Sequence, residues 1–222
     1  MSRDSRTSAR RGRRLRRGLG RFAGPAPRQN AGRGGYRGKR LFDLAVAVPL
    51  LALLALPMLL IAAAVRLSSR GPALFRQRRL SLRERPFTIL KFRTMRVDAP
   101  RQGPAFTQEG DPRITPLGRL LRKSSLDELP QLLNVVAGQM SLVGPRPYIG
   151  FELDRAPRLQ RAERASVLPG LTGLAQVGGR SALTSEEALA LDLQYARQCG
   201  FALDCRIGFR TVRAILGRRG TN

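Results

Sequence analysis

No histidine and no tryptophan occur anywhere in the 222 residues. The missing imidazole removes Ser-His-Asp and Cys-His catalysis, and every His-ligated metal site, in one step. Cysteine is nearly absent as well: Cys199 and Cys205 stand alone, six positions apart. Two thiols make neither a disulfide framework nor a zinc pattern, so the expectation is small, buried helix residues in a reducing compartment. Acid is scarce, with 15 Asp and Glu against 41 Lys and Arg, a formal net charge of +26. Charge of that sign suits nucleic acid or an anionic membrane, but few aromatics are present for base stacking.

What is abundant is arginine, unevenly placed. Residues 1–40 carry thirteen Arg and Lys39 against the single acid Asp4, with scattered Gly and Pro and almost no large apolar side chains. Such a segment cannot bury enough surface to offset its ordering entropy, so a disordered basic arm is predicted.

Residues 44–65, "LAVAVPLLALLALPMLLIAAAV", contain no polar side chain. As a helix they would run about 33 Å, enough to cross a bilayer core. A cleaved signal peptide is disfavoured by the forty residues ahead of the run and by the lack of a small-x-small cleavage site. Pro49 and Pro57 lie inside the run, and both flanks are basic. Lys and Arg prefer the cytoplasmic side, so a spanning helix would put one basic flank outside. A helix that enters, bends at Pro57 and returns satisfies both flanks, and this re-entrant form is the expectation over residues 41–66.

Beyond it, Ala73–Arg78 and Phe87–Phe92 read as two extended runs of a β-hairpin. Residues 97–112 read as a loop. Leu117, Leu120 and Leu121, then Leu129, Leu132, Leu133 and Val136, have helical spacing, with Gly138 as a C-terminal glycine. "GPRP" (Gly144–Pro147) must be a fixed turn. The glycine-rich Leu168–Arg180 reads as a backbone-lined binding loop, and the last segment as helix broken at Gly200. The predicted fold class is α+β, mainly helical: a membrane-embedded re-entrant helix plus a small cytoplasmic catalytic domain, residues 67–218, with a β-hairpin. Residues 219–222 form a tail.

In so basic a chain, the adjacent acids Asp127 and Glu128 in "RKSSLDELPQLLN" stand out. Ser125-x-x-Glu128 fits a capping box, in which both side chains satisfy amides of a first helical turn. Around the pair, Lys91, Arg93, Arg122, Lys123, Arg146 and Arg180 lie in short motifs and turns. Arg suits bidentate phosphate recognition, and one or two carboxylates plus phosphate oxygens suit Mg²⁺. A carboxylate can also attack phosphorus to give an aspartyl phosphate. These residues point to a membrane-attached, phosphate-handling protein, with a metal as one option.

From about Lys39 to Leu216 the chain resembles the bacterial sugar transferase family, the monotopic polyprenyl-phosphate phosphoglycosyl transferases. The runs that carry the resemblance are "KRLFDLAVAVPLLALLALP", "ILKFRTM", "DPRITPLGRLLRKSSLDELPQLLNVVAGQMSLVGPRP", "PGLTGLAQVGGR" and "LDLQYAR", in the family's order. The resemblance implies that Asp127 attacks the β-phosphate of a nucleotide diphosphate-sugar, with UDP as the expected nucleotide and UMP leaving. A membrane polyprenyl phosphate would then take the phosphosugar, beginning a glycan such as exopolysaccharide, capsule or O-antigen. Glu128 would share a Mg²⁺ site with Asp127, while Arg122, Arg146, Arg180 and Asp192 would serve substrate binding along with Lys91 and Arg93. The acid pair could begin a helix and still be the active site. The same resemblance implies the bacterial inner membrane with the catalytic domain facing the cytoplasm. Partners are then the donor, the lipid acceptor and anionic lipids bound by the arm, with no nucleic acid; a homodimer is compatible.

This chain departs from the family pattern at several positions. Leu174 and Ser185 stand where Trp is usual, Ser81 and Glu84 where hairpin glycines are usual, Gln139 where Asp is usual, and Leu56 where Ser precedes the proline. Two other classes compete with the enzyme. A nucleic-acid-binding protein leaves the apolar run unexplained, and a catalytically inactive polybasic membrane adaptor leaves "SSLDELPQLLN…SLVGPRP" without purpose.

Overall fold

The computed structural model describes residues 35–99, 110–149, 156–179 and 183–217. Most of the predicted arm, the middle of the predicted 97–112 loop, Arg180 and the tail at 219–222 lie outside the described residues. The elements in chain order are α1 (Lys39–Ser68), β1 (Leu74–Leu80), β2 (Pro86–Phe92), α2 (Pro116–Ser124), α3 (Gln131–Val136), β3 (Ser141–Val143), α4 (Arg158–Arg164), β4 (Gly170–Thr172), α5 (Leu174–Gly178), α6 (Ser185–Gln198) and α7 (Phe201–Leu216). Helix predominates and the strands form two small sheets, in keeping with a mixed, mainly helical fold.

α1 is the one described helix long and apolar enough to cross a membrane. Pro49 and Pro57 both lie within it. Each removes a backbone donor, leaving the carbonyls of Ala45 and Leu53 without their usual helical partners. One side of α1 packs on the domain. Ala47, Leu50, Leu51 and Leu54 meet Phe87, Ile89, Leu132, Val135 and Met140, while Met58, Ile61, Ala62 and Val65 meet Phe92, Leu121 and Leu129. The other side is bare: Leu53, Leu56, Leu59 and Leu60 are each more than 60% exposed.

Both ends of α1 are tied to the same domain. At the start, Lys39 Nζ reaches Asp204 Oδ2 of α7 at 2.6 Å and Asp43 Oδ1 at 3.2 Å. Asp43 Oδ1 in turn accepts from Ser141 Oγ and the Leu142 amide on β3. At the far end, Arg93 donates to the carbonyls of Val65, Ser69 and Arg70, satisfying acceptors that a helix C-terminus leaves open. The basic side chain in "KFRTM" thus clamps the end of the apolar helix.

β1 and β2 pair antiparallel, from Leu74 opposite Phe92 to Leu80 opposite Pro86, matching the expected hairpin except that β1 begins one residue later and ends two later and β2 begins one residue earlier. Its turn departs from the usual glycines at a cost in backbone strain: Arg83 and Glu84 both hold left-handed φ, at 55° and 57°. The Arg83 amide donates to the Ala165 carbonyl, and the Glu84 carboxylate accepts from Arg161, so α4 holds the turn in place.

The glycine-rich Leu168–Arg180 is not a loop over its described part. Gly170–Thr172 is β4, parallel to β3, and α5 follows. Its glycines serve close backbone approach: a Cβ on Gly170 would fall 2.0 Å from the Gly144 nitrogen, and one on Gly173 would fall 2.1 Å from the Gly144 oxygen. Leu174, at the position usual for Trp, is buried with Val143, Leu191, Tyr195 and Ile207 in the second core. α6 and α7 form as expected, separated at Cys199 and Gly200. Of the two thiols only Cys199 is buried; Cys205 is exposed, because it falls on the outer side of α7. That helix also exposes Phe201, Phe209, Val212 and Ile215, and the Phe201 ring meets Phe42 of α1 edge-on at 5.4 Å.

Candidate active site

Two helices and one strand assemble the acid pair. Thr115 caps α2 by accepting from the Gly118 amide at 2.9 Å, and Pro116 fills the first turn, where its missing donor costs nothing. Gly118 lets α2 lie against β2's continuation, since a Cβ there would meet the Thr94 oxygen at 2.1 Å. α2 ends at Ser125, whose φ of 58° is left-handed and whose amide returns to Arg122 and Leu121 carbonyls. The chain then makes a single 3₁₀ turn, Leu126–Glu128, and Pro130 leads into α3.

The capping box expected at Ser125-x-x-Glu128 is therefore absent. Ser125 closes the preceding helix, its side chain makes no capping bond, and Glu128 points elsewhere. The sequence signature failed because the left-handed residue at 125 turns the serine away from the amides that follow it. A capping box forms instead at Thr184 and Glu187, at the start of α6. Gly138, with φ of 77°, ends α3 as expected.

Strand alternation brings Lys91 to the acids. Phe87, Ile89 and Lys91 share the face of β2 that packs against α1 and α3. At the end of that row Lys91 Nζ meets Glu128 Oε1 at 2.7 Å, a half-buried pair. The register is held by Asn134, which the sequence reading passed over. Its Oδ1 accepts from the Leu90 amide at 3.0 Å and its Nδ2 donates to the Thr88 carbonyl at 2.8 Å. An amide side chain at that point acts like a short piece of strand, pinning α3 to the open edge of β2. The signal available was an Asn in the middle of an apolar helix, where it is otherwise unfavourable.

Asp127 itself is buried, at 9% exposure. Burial and the neighbouring Glu128 charge raise its pKa to about 6, against the opposing pull of Lys91, Arg122 and a backbone hydrogen bond. Arg122 is half-buried, donates from Nε to Thr94 Oγ1 at 2.8 Å, and is depressed in pKa by burial. Lys91, Arg122, Asp127 and Glu128 thus form one cluster: two carboxylates between two cations.

The remaining predicted residues lie elsewhere. Arg93 is buried at the end of α1 as described, and Arg180 lies outside the described residues. Arg146 and Asp192 belong to a second cluster. The "GPRP" turn leaves β3 and reaches the closed end of the hairpin, where Leu80 donates to the Tyr148 carbonyl and Arg79 to the Pro147 carbonyl. Lys91 sits opposite Phe75, five residues back along β1 from Leu80, so about 17 Å of strand lies between Lys91 and the point where the turn meets the hairpin. Asp192 is 1% exposed and accepts from Arg164 Nε at 2.8 Å. Burial raises its pKa to about 6, opposed by Arg164 and by the charge of Arg146.

Among the described residues no three His, Cys, Asp or Glu side chains gather as a metal site. The acid pair alone offers two carboxylates, the donor set that suits Mg²⁺ when substrate phosphates complete the shell.

Residues 35–218 match the family model for bacterial sugar transferases. The uncharacterized sugar transferase EpsL of Bacillus subtilis (strain 168) is 44% identical over 184 residues, covering 82% of this chain and 89% of that protein. A UDP-glucose:undecaprenyl-phosphate glucose-1-phosphate transferase of Caulobacter vibrioides is 46% identical over 187 residues, 80% of this chain and 69% of its own. The exopolysaccharide production protein ExoY of Sinorhizobium fredii is 37% identical over 201 residues, 82% and 87%. With the match running from the first turn before α1 to the end of α7, and the acid pair inside it, the chain belongs to the bacterial sugar transferase family.

Proposed function

We propose that the protein transfers a sugar-1-phosphate from a UDP-sugar to undecaprenyl phosphate, as an early membrane step of polysaccharide synthesis. The observation that carries this reading is the buried Asp127, flanked by Glu128, Lys91 and Arg122, in a chain similar to a glucose-1-phosphate transferase of that kind. A carboxyl with a pKa of about 6 is mostly ionised at neutral pH, yet is more basic, and so a better nucleophile, than an ordinary carboxylate.

In the first step a carboxylate oxygen of Asp127 attacks the donor's β-phosphorus. The bond from that phosphorus to the bridging oxygen breaks, UMP leaves with the electron pair, and an aspartyl phosphosugar remains. In the second step an oxygen of the lipid phosphate attacks the same phosphorus and releases the Asp127 carboxylate. Lys91 and Arg122 oppose the negative charge that builds on the phosphoryl oxygens. Glu128, held by Lys91, keeps an oxygen toward the phosphates. Mg²⁺ held by Asp127 and Glu128 would supply further charge stabilisation there. Arg146, exposed at the other end of the hairpin, takes the nucleotide end of an extended donor.

The bare side of α1 and the exposed apolar residues of α7 support seating in the bilayer. Because both ends of α1 are tied to one domain, the re-entrant arrangement is favoured over a crossing, with donor and acceptor meeting on the cytoplasmic face. The basic arm adds attraction to anionic headgroups, about 1 kcal/mol per residue near the surface. Detergent-purified protein with Mg²⁺ and a panel of UDP-sugars, without lipid, tests the chemistry. One donor should give near-stoichiometric UMP and a phosphosugar mass adduct, both lost in Asp127→Asn. UMP in the absence of any adduct would overturn the covalent route.

A further inference from the structure

Arg164 lies in none of the sequence motifs that suggested a site, yet it is among the most constrained side chains in the fold. Only 5% of it is exposed. Its Nε is bound to Asp192, which is itself buried. Its Nη2 donates to the Arg146 carbonyl, and its guanidinium carbon lies 4.1 Å from the centroid of the Tyr148 ring. One planar group therefore grips both sides of the proline at the end of the "GPRP" turn, and a carboxylate from α6 fixes the plane of that group. Arg146 itself keeps an exposed side chain. This chain of contacts runs from a carboxylate through a guanidinium to a backbone carbonyl and a ring. Its effect is to set the backbone from which Arg146 projects.

We infer that Arg164, oriented by Asp192, is a positioning residue that presents Arg146 to the donor's nucleotide end. This rests on the reading of Arg146 as a donor contact, and it gives Asp192 an indirect task in place of direct substrate binding. A planar fork is needed, because one group must serve the carboxylate, the carbonyl and the ring face together. Lysine, a point charge on a flexible stem, can keep the ion pair but not that geometry.

The test is a cycle of Arg146→Ala, Arg164→Lys and the double variant, measuring KM for the donor and kcat separately with UDP-glucose as probe, and UMP as competing product. Arg146→Ala should raise KM about tenfold with kcat nearly unchanged, the signature of lost binding that does not differ between ground and transition state. Arg164→Lys should raise the same KM about fivefold and weaken UMP inhibition in parallel. Because Arg164 acts through Arg146, the double variant should be no worse than Arg146→Ala. An unchanged KM in Arg164→Lys, or effects that multiply in the double variant, would overturn the inference while leaving Arg146 as a donor contact. An unchanged KM in Arg146→Ala would overturn both readings. If Arg164→Lys does not fold, Tyr148→Ala, which removes the ring but no buried charge, takes its place in the cycle with the same expected outcomes.

Discussion

Two aspartates in this fold share a raised pKa of about 6 and the same leading cause, burial, yet they are in opposite chemical situations. Asp192 has a directly bonded guanidinium at 2.8 Å and lies sealed between α4 and α6. Asp127 is balanced by Lys91 and Arg122, whose charges act on it while Lys91 is bonded to Glu128 and Arg122 to Thr94. The first carboxylate is engaged by a bonded cation; the second, with a backbone hydrogen bond and cations bonded to other groups, is uncommitted. A perturbed pKa alone therefore does not mark a site, and the partners decide. In both cases the folded pKa exceeds the unfolded value of about 4. Each therefore stabilises the fold only in acid, and that contribution is lost as pH rises through about 6.

The largest effect that could break this contrast is on chemistry. Asp127→Asn should lower lipid-independent UMP release by about a thousandfold or more, whereas Asp192→Asn should lower it by no more than about tenfold. Equal loss in the two, measured on folded protein, would mean that the engaged aspartate is as close to the reaction as the uncommitted one.

Next in size is stability. Asn134→Ala removes both bonds that join α3 to the edge of β2, leaving the Leu90 amide and Thr88 carbonyl without that partner, at about 2–4 kcal/mol. Chemical denaturation in a fixed detergent would read this, and a loss below about 1 kcal/mol would show that the helix is seated by packing alone.

A smaller effect sharpens the electrostatics. UMP release should decline below about pH 6, approaching tenfold per unit, as Asp127 gains its proton; a bound cation would move this limb lower. Lys91→Met removes a charge that depresses that pKa, so the limb should move to higher pH and the rate at pH 6 should fall about three- to tenfold. A limb that stays in place would remove Lys91 from the balance around Asp127. The smallest effect belongs to the exposed Glu163–Arg197 pair, at 2.6 Å. Arg197→Ala should change stability by less than about 1 kcal/mol, because solvent screens such contacts. A larger loss in the same denaturation experiment would make that bridge part of the α4–α6 seating around Arg164 and Asp192.

The hairpin, the helices at the C-terminus and the Gly138 stop were legible because strand alternation, helical spacing and a left-handed glycine are local signals. The β3–β4 pair was not, since strands of three residues have no period to read, and glycines that permit close backbone contact look the same in sequence as glycines of a loop. The acid pair was found through its rarity in a basic chain and the family's motifs, whereas its local geometry was misjudged because Ser125 takes a left-handed conformation that serine seldom adopts. Lys91 and Arg93 stand two apart in one motif, yet one meets Glu128 and the other the end of α1. Asn134 and Arg164 escaped notice since their partners, strand backbone for the first and a carboxylate, a carbonyl and a ring for the second, are distant in the chain.

The bond between Lys39 and Asp204 spans 165 residues of sequence, and it closes the start of the apolar helix onto the last helix of the chain. Contacts of that separation form late, after the loop between them has been drawn in. During synthesis α1 leaves the ribosome long before α7 exists, so the apolar helix emerges without the partner that closes its start. The seating of its first turn is thus completed only when the end of the chain has been made.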